Sequence, residues 1–297
     1  MPKKEQLLSF FCMTDKGNIR TLNEDIYLVD EKFGLWVLAD GMGGYGSGDV
    51  ASHLAVERIS ECVKQGDSLT DSIYSAHDTV LDAAEAGRGE WGMGTTVVAL
   101  KVMNSDYEVA WVGDSRAYLL ENNQMFQITK DHSMVQEMVD NGEITQEQAE
   151  FHPQRNIISQ AVGSPEINDI LVDSVTGTLS VGNSILLCSD GLTTEVREPK
   201  IACILQQNSS VEDKVRKLIN MALAAGGKDN VTVVIVEKKV GNDFSLKPKA
   251  IVRRIKQLLA GKNNSYFNSL IILFCAIVVV YWNEVSAFLH NIIFKGN

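Results

Sequence analysis

The sequence predicts an α+β domain built in layers, with antiparallel sheets. Three observations carry the prediction. Eight apolar, β-branched or aromatic runs recur through the first 240 of the 297 residues. Several are joined by turns of a few residues, as at Asp30 to Gly34 and Asn104 to Asp106, too short for the helical crossovers that parallel pairing requires. Six segments with helical periodicity fall in clusters rather than alternating strictly with the strands. With 45% hydrophobic and 22% charged residues, there is ample apolar material for a core.

LLSFFCM (7–13), IYLVD (26–30) and GLWVLAD (34–40) read as strands, and the last two are close enough to form a hairpin. Helical patterns then cover 48–65 and 68–86. TTVVALKVM (95–103), YEVAWVGD (107–114) and RAYLLE (116–121) form a second cluster of strands. Short helices at 133–140 and 145–150 lie within a stretch from Lys130 to Gly163 that mixes charges with polar turns, the composition of a surface subdomain or flap. NSILLCSD (183–190), helices at 199–207 and 211–225, and the strand NVTVVIVEK (230–238) complete the domain, with no internal repeat.

Charge separates this body from the C-terminal segment. The chain carries a net charge of −11, which argues against a nucleic-acid binder because phosphate neutralisation needs a cationic face. Residues 241–297 hold seven basic and two acidic residues, so the first 240 carry −16. The five cysteines, at 12, 62, 188, 203 and 275, form no C-x-x-C pair, which indicates neither a disulfide framework nor a zinc knuckle and suits a reducing compartment. Asp15 and Lys16 interrupt the early apolar run before any cleavage site, so no signal peptide is read there.

From Tyr266 to Trp282 the chain has 17 residues without a formal charge, a span of about 25 Å as a helix. Aromatic residues flank it, and Arg253, Arg254, Lys256 and Lys262 precede it. The expected organisation is therefore a domain over 1–240, a basic linker over 241–264, a transmembrane helix over 265–290 and a short tail over 291–297. The expected localisation is the cytoplasmic membrane, single-pass, with the large domain facing the cytoplasm and lipid as a partner. The apolar face of Ile251, Val252, Ile255, Leu258 and Leu259 fits a helix lying on an anionic membrane surface as well as a solvated linker.

The chemistry is signalled by where the aspartates fall. Asp40, Asp114 and Asp190 end apolar strands, Asp229 immediately precedes one, and Glu24 and Asp25 lie together in NED. One such aspartate is an ordinary turn former. Several gathered at one end of a core repel one another, and a hard divalent cation held by carboxylates, a backbone carbonyl and water resolves the conflict. Mg²⁺ or Mn²⁺ fits that set better than zinc or copper, since the histidines at 53, 77, 132, 152 and 290 are not at those ends.

The run Gly41 to Gly46 matches G-x-G-x-x-G, but the helix after Gly48 leads into another helix rather than a parallel strand, which a dinucleotide site requires. The glycines fit better as a turn that brings small residues close to the ions. No C-x5-R loop, D-x-D pair or G-x4-G-K-[ST] loop is present, and Ser115 lacks the G-x-S-x-G elbow.

Taken in order, GNIRTLNED (17–25), VLADGMGG (37–44), GMGTTVVAL (92–100), VGDSRAYLL (112–120), DHSMV (131–135), ILLCSDGLTTEV (185–196) and GGKDNVTVVIV (226–236) give residues 9–238 a close resemblance to the bacterial branch of the protein phosphatase 2C family, the metal-dependent serine/threonine phosphatases. The resemblance implies an α-β-β-α sandwich of two antiparallel sheets flanked by helices, with the metal site in a cleft at one end.

It also implies roles. Asp40 is the bridging ligand of two Mn²⁺ or Mg²⁺ ions, Asp190 and Asp229 complete the first, and the Gly41 carbonyl serves the second. Glu24 and Asp25 engage metal-bound water, Asp114 joins Asp190 around a third ion, and Arg20 clamps the substrate phosphate, for which a guanidinium offers paired donors. The implied reaction is hydrolysis of phosphoserine and phosphothreonine monoesters by metal-activated water. Met42 stands where many eukaryotic relatives have histidine, so the leaving oxygen takes its proton elsewhere. Expected partners are phosphorylated proteins and a membrane serine/threonine kinase, with the chain acting as a monomer. The competing reading is a catalytically inert phosphoprotein-binding module of the same fold.

Overall fold

A computed structural model describes residues 7–43, 47–165 and 169–239. Its elements, in chain order, are strands β1 (Leu7–Asp15), β2 (Asp25–Asp30) and β3 (Leu35–Met42); helices α1 (Ser47–Gln65) and α2 (Leu69–Glu85); strands β4 (Gly94–Thr95), β5 (Val97–Met103), β6 (Asp106–Val112), β7 (Arg116–Glu121) and β8 (Gln124–Gln127); helices α3 (Met134–Asp140) and α4 (Gln146–Ala149); strands β9 (Asp173–Thr178) and β10 (Ser184–Cys188); helices α5 (Asp190–Glu195), α6 (Glu198–Leu205) and α7 (Val211–Ala225); and strand β11 (Val231–Lys239).

The strands form two antiparallel sheets, one in the order β1-β11-β10-β7-β8 and the other β2-β3-β5-β6-β9, with β4 paired to β3. Period-two alternation decides which residues face which layer. In β3, Leu35, Val37 and Ala39 pack with Ile59, Ile73 and Val80 of α1 and α2, whereas Trp36 and Leu38 point the other way. In β11, Val231, Val233 and Ile235 pack with Leu218 and Ile219 of α7, and Val234 and Val236 meet Trp36, Leu38 and Leu100 of the opposite sheet. The central strands thus bury both faces, which gives helix, sheet, sheet and helix layers as expected.

Serine and threonine hydroxyls cap α2, α3, α4 and α7. Ser68 and Ser210 each accept from the backbone N–H three residues on (3.0 Å in both cases), and Thr145 with Gln148 forms a reciprocal capping box. Lys238, almost wholly buried at the sheet interface, directs its Nζ to the Asn104 carbonyl (3.2 Å) and Ser105 Oγ (2.8 Å), closing the β5–β6 turn onto β11.

The expected single-pass placement in the cytoplasmic membrane is corrected by this structure. Among the described residues no helix is long and apolar enough to cross a membrane. The longest, α1, carries Asp49, Glu57, Arg58, Glu61 and Lys64, charges that a bilayer core does not accommodate. The segments on which the expectation rested, 241–264, 265–290 and 291–297, lie outside the described residues.

Candidate active site at the ends of the two sheets

The predicted site residues are delivered from both sheets. Asp25 opens β2 and faces Asp40 directly across the β2–β3 ladder; Asp114 follows β6; Asp190 follows β10 after one residue; Asp229 precedes β11. Like charges opposite each other in a ladder are unfavourable, so this register is held by other contacts.

Those contacts tie the sheets together. The Asp25 carboxylate, buried, receives its bonds at Oδ2 from Ser189 Oγ (2.8 Å) and Thr232 Oγ1 (2.7 Å), both on the opposite sheet, while Oδ1 is buried without a partner. Ser189 Oγ in turn accepts from the Thr232 N–H (2.9 Å). The Asp40 backbone is fixed by Thr95 and Thr96: the Thr95 hydroxyl donates to the Asp40 carbonyl (2.9 Å), as does the Thr96 N–H (2.9 Å).

Glycines allow the elements to approach. A Cβ at Gly41 would collide with the Gly48 carbonyl oxygen at the start of α1, and one at Gly191 would collide with the carbonyl of Asn230. The first contact docks α1 against the end of β3, and the second brings Asp190 beside Asp229. Glu24 is seated in the same way: its N–H donates to Asn230 Oδ1 (2.9 Å), its carboxylate accepts from the Gly48 N–H (3.1 Å), and its carbonyl accepts from Ser52 Oγ (2.7 Å) and the Gly41 N–H (3.1 Å). Gly41 therefore serves a strand-to-helix approach, and α1 is followed by α2 without a parallel strand between them.

The electrostatics result from crowding. Burial raises Asp40 well above the usual carboxylate range, and the charges of Asp25, Asp190, Asp114 and Asp229 raise it further. Burial lifts Asp25 to about 7, against its hydrogen bonds from Thr232 and Ser189. It lifts Asp114 to about 8, with Asp190 and Asp131 adding to it. Asp190 is lifted to about 6 by burial and then Asp229, with Arg20 pulling the other way.

Arg20 is exposed at the rim and donates from Nη2 to Asp229 Oδ2 (2.7 Å), a contact that the sequence did not disclose. Arg20 thus forms an ion pair at the surface whose partner is itself a predicted site residue, and the Asp40 and Glu24 charges also act on it.

Among the described residues no three His, Cys, Asp or Glu side chains form a ready cage for an ion. The charges nevertheless converge, the Asp25 Oδ1 is an orphaned buried oxygen, and the donors on Asp25, Asp40, Asp114, Asp190 and Asp229 are all oxygen. That chemistry fits a hard divalent cation. Sequence reasoning missed Ser189, Thr232, Thr95, Thr96 and Asn230, although each lies inside one of the seven motifs that carry the family resemblance.

A cavity of about 580 Å³ opens from this cluster, lined at one end by Asp114 and Asp190 and walled by α3, α4 and the start of α6. Its lining mixes charged side chains, among them Arg155, Arg197 and Glu150, with uncharged ones such as Gln136, Asn156 and Phe151.

Comparison with known proteins points to one family. The family model described as protein phosphatase 2C matches residues 20–231. The serine/threonine phosphatase stp of Listeria welshimeri is 38% identical over 248 residues, covering 78% of this chain and 98% of its own. The serine/threonine protein phosphatase PstP of Mycobacterium tuberculosis is 35% identical over 243 residues, covering 80% of this chain and 46% of its own. A crystal structure of the M. tuberculosis serine/threonine phosphatase PstP/Ppp superposes with a TM-score of 0.72 at 34% identity, over 78% of this chain and 99% of that one. A structure of the PstP catalytic domain in complex with two manganese ions gives 0.70 at 32% identity, over 79% and 99%.

Proposed function

The chain belongs to the protein phosphatase 2C family and is a metal-dependent protein serine/threonine phosphatase; from that premise we propose that the cluster around Asp40 is its active site and that residues 1–240 carry the activity. The supporting observation is the convergence on Asp40 of four further carboxylates from distant points of the chain, one of them with a buried, unpartnered oxygen.

In this reading Asp40, Asp190, Asp229 and the Gly41 carbonyl would hold two Mn²⁺ or Mg²⁺ ions, and Asp114 would contribute with Asp190 to a third. When bound, the ions offset the carboxylate charge and activate water for attack on phosphorus. The chain's own groups do the rest. Glu24 and Asp25, fixed by Asn230, Ser189 and Thr232, accept hydrogen bonds from the attacking water and orient it. Arg20 exchanges its single Nη2 contact with Asp229 for the phosphate, and its planar fork then binds two phosphoryl oxygens. Met42 is a thioether with no proton to give, so the leaving oxygen is protonated by water rather than by that side chain.

The substrates are phosphorylated proteins, and the counterpart of the enzyme is a serine/threonine kinase that makes them. The experiment is Mn²⁺-dependent hydrolysis of a phosphothreonine peptide by the full chain, compared with Asp40→Asn and Asp190→Asn. Turnover that requires Mn²⁺ and falls in both variants supports the reading. Absent turnover with bound Mn²⁺ favours the inert binding module.

A further inference from the structure

Arg116 occupies a position that no catalytic role accounts for. It lies on β7, two residues beyond Asp114, and its side chain is only 24% exposed. Nε donates to both oxygens of Asp131 (2.9 and 3.0 Å) and Nη2 donates to Asp131 Oδ2 (2.7 Å), a fork-to-carboxylate grip. Nη1 reaches Tyr118 Oη (3.1 Å) and Glu198 Oε1 (3.4 Å), and Tyr118 Oη itself donates to Glu198 Oε1 (3.0 Å). Gln127 Nε2 completes the shell on Asp131 Oδ1 (3.0 Å).

Arg116, Asp131 and Glu198 belong to three different walls of the same cavity. Arg116 and Tyr118 come from β7, Glu198 is the first residue of α6, and Asp131 lies at the base of the 130–163 segment that carries α3 and α4. That base is pinned nearby by the His132 N–H on the Gly113 carbonyl (2.9 Å) and by His132 Nε2 on Asp173 (3.1 Å). The far end of the segment is held by Gly163 N–H on His77 Nδ1 (3.0 Å) and by the Thr95–Val162 bridge. Between these anchors, Arg116 joins the segment's base to the wall opposite it.

We infer that Arg116 is a positioning residue that sets the width of the cavity above Asp114 and Asp190, and through it the fit of the polypeptide on either side of the phosphorylated residue. The inference rests on the phosphatase reading of the site and adds to it a determinant of protein over small-molecule substrates. A small aryl phosphate engages the phosphate-binding end alone, whereas a phosphopeptide also fills the cavity. Lysine retains the charge of Arg116 but not its planar fork, so it cannot hold Asp131 and Glu198 together.

The test is steady-state kinetics of the Mn²⁺-loaded full chain on a phosphothreonine peptide and on para-nitrophenyl phosphate, for the native chain, Arg116→Lys, Asp131→Asn and the double variant. Hydrogen exchange of the 130–163 amides is measured in the metal-free proteins. Both single variants are expected to raise KM for the peptide by roughly tenfold with kcat altered less than about twofold, and to leave KM for the aryl phosphate in place. The double variant is expected to be no worse than either single one, because both remove the same grip. Exchange over 130–163 is expected to accelerate in both.

Equal losses on the two substrates, additive effects, or unchanged exchange would overturn the inference. If one variant fails to fold, the other removes the same contact and decides alone. Failure of the native chain to hydrolyse either substrate overturns the phosphatase reading instead, and the two failures are thereby distinct.

Discussion

Asp25→Asn tests the cost of burying a carboxylate at the proposed metal site. Asp25 is buried, directly opposite Asp40, with Oδ2 held by Ser189 and Thr232 and Oδ1 without a partner. Asparagine is nearly isosteric, keeps an oxygen for the two hydroxyls, and turns the orphaned oxygen into an amide that donates toward Asp40. In the metal-free fold the Asp25 carboxyl rises from 3.8 to about 7, chiefly through burial. A raised acid means that the folded state binds more protons, so stability is fully present below the unfolded value near 3.8 and is lost as pH climbs to 7. Taking this group into the fold therefore costs about 4 kcal/mol at pH 8, where it is ionised, and about 1–2 kcal/mol at pH 5, where it is held as the acid. Urea melts of the full chain in EDTA at both pH values measure it. Asp25→Asn is expected to stabilise the metal-free protein, by about 2–3 kcal/mol more at pH 8 than at pH 5, while weakening the stabilisation conferred by Mn²⁺. A variant that is less stable than the native chain at pH 8, or whose gain is the same at both pH values, would refute the reasoning.

Further expectations concern the approach of elements and the rim. Gly191→Ala forces a methyl into the Asn230 carbonyl, and a loss of about 1–3 kcal/mol is expected in thermal melts, with Asp190 displaced from Asp229 and kcat/KM reduced by roughly 100-fold. Arg20→Ala breaks an ion pair whose side chains are 51% and 36% exposed, so its stability should change by less than about 1 kcal/mol. Its kcat/KM on phosphopeptide should nevertheless fall by roughly 10²- to 10³-fold, a contrast that separates phosphate binding from structural pairing. Lys238→Met abandons the Asn104 carbonyl at the sheet interface; a loss of about 1–3 kcal/mol in melts with unchanged kcat marks it as structural.

The sandwich was legible because its central strands are long, β-branched and buried on both faces, so that LWVLAD, VVALKVM and VTVVIVE could be nothing else. The elements that escaped have a weak apolar signal. Strand β9, DSVTGT, alternates partly buried and exposed positions at a sheet edge and is mostly polar; its Gly177 packs under the Tyr107 ring, a contact no periodicity discloses. Strand β8 lies at the edge of the other sheet, and α5 is a short helix of six residues beginning at Asp190 itself.

The acids of the candidate site were legible by position, since carboxylates at the ends of buried strands demand a partner. Their support was not. The hydroxyls of Ser189 and Thr232 reach Asp25 from the opposite sheet, across 164 and 207 residues of sequence, and only the layering brings them there. The pairing of Arg20 with Asp229 spans 209 residues and likewise depends on how the first loop lies against the turn before β11. The membrane expectation rested on an apolar run, its aromatic flanks and the basic residues before it, and found no counterpart in the helices described.

The convergence of distant acids on divalent cations is tested most directly by anomalous diffraction at the manganese edge from crystals of the chain grown with Mn²⁺. Peaks are expected about 2.1 Å from an Asp40 carboxylate oxygen, with Asp190 and Asp229 oxygens in the same coordination shell. Manganese bound elsewhere, with Asp40 coordinating nothing, would contradict the proposed site.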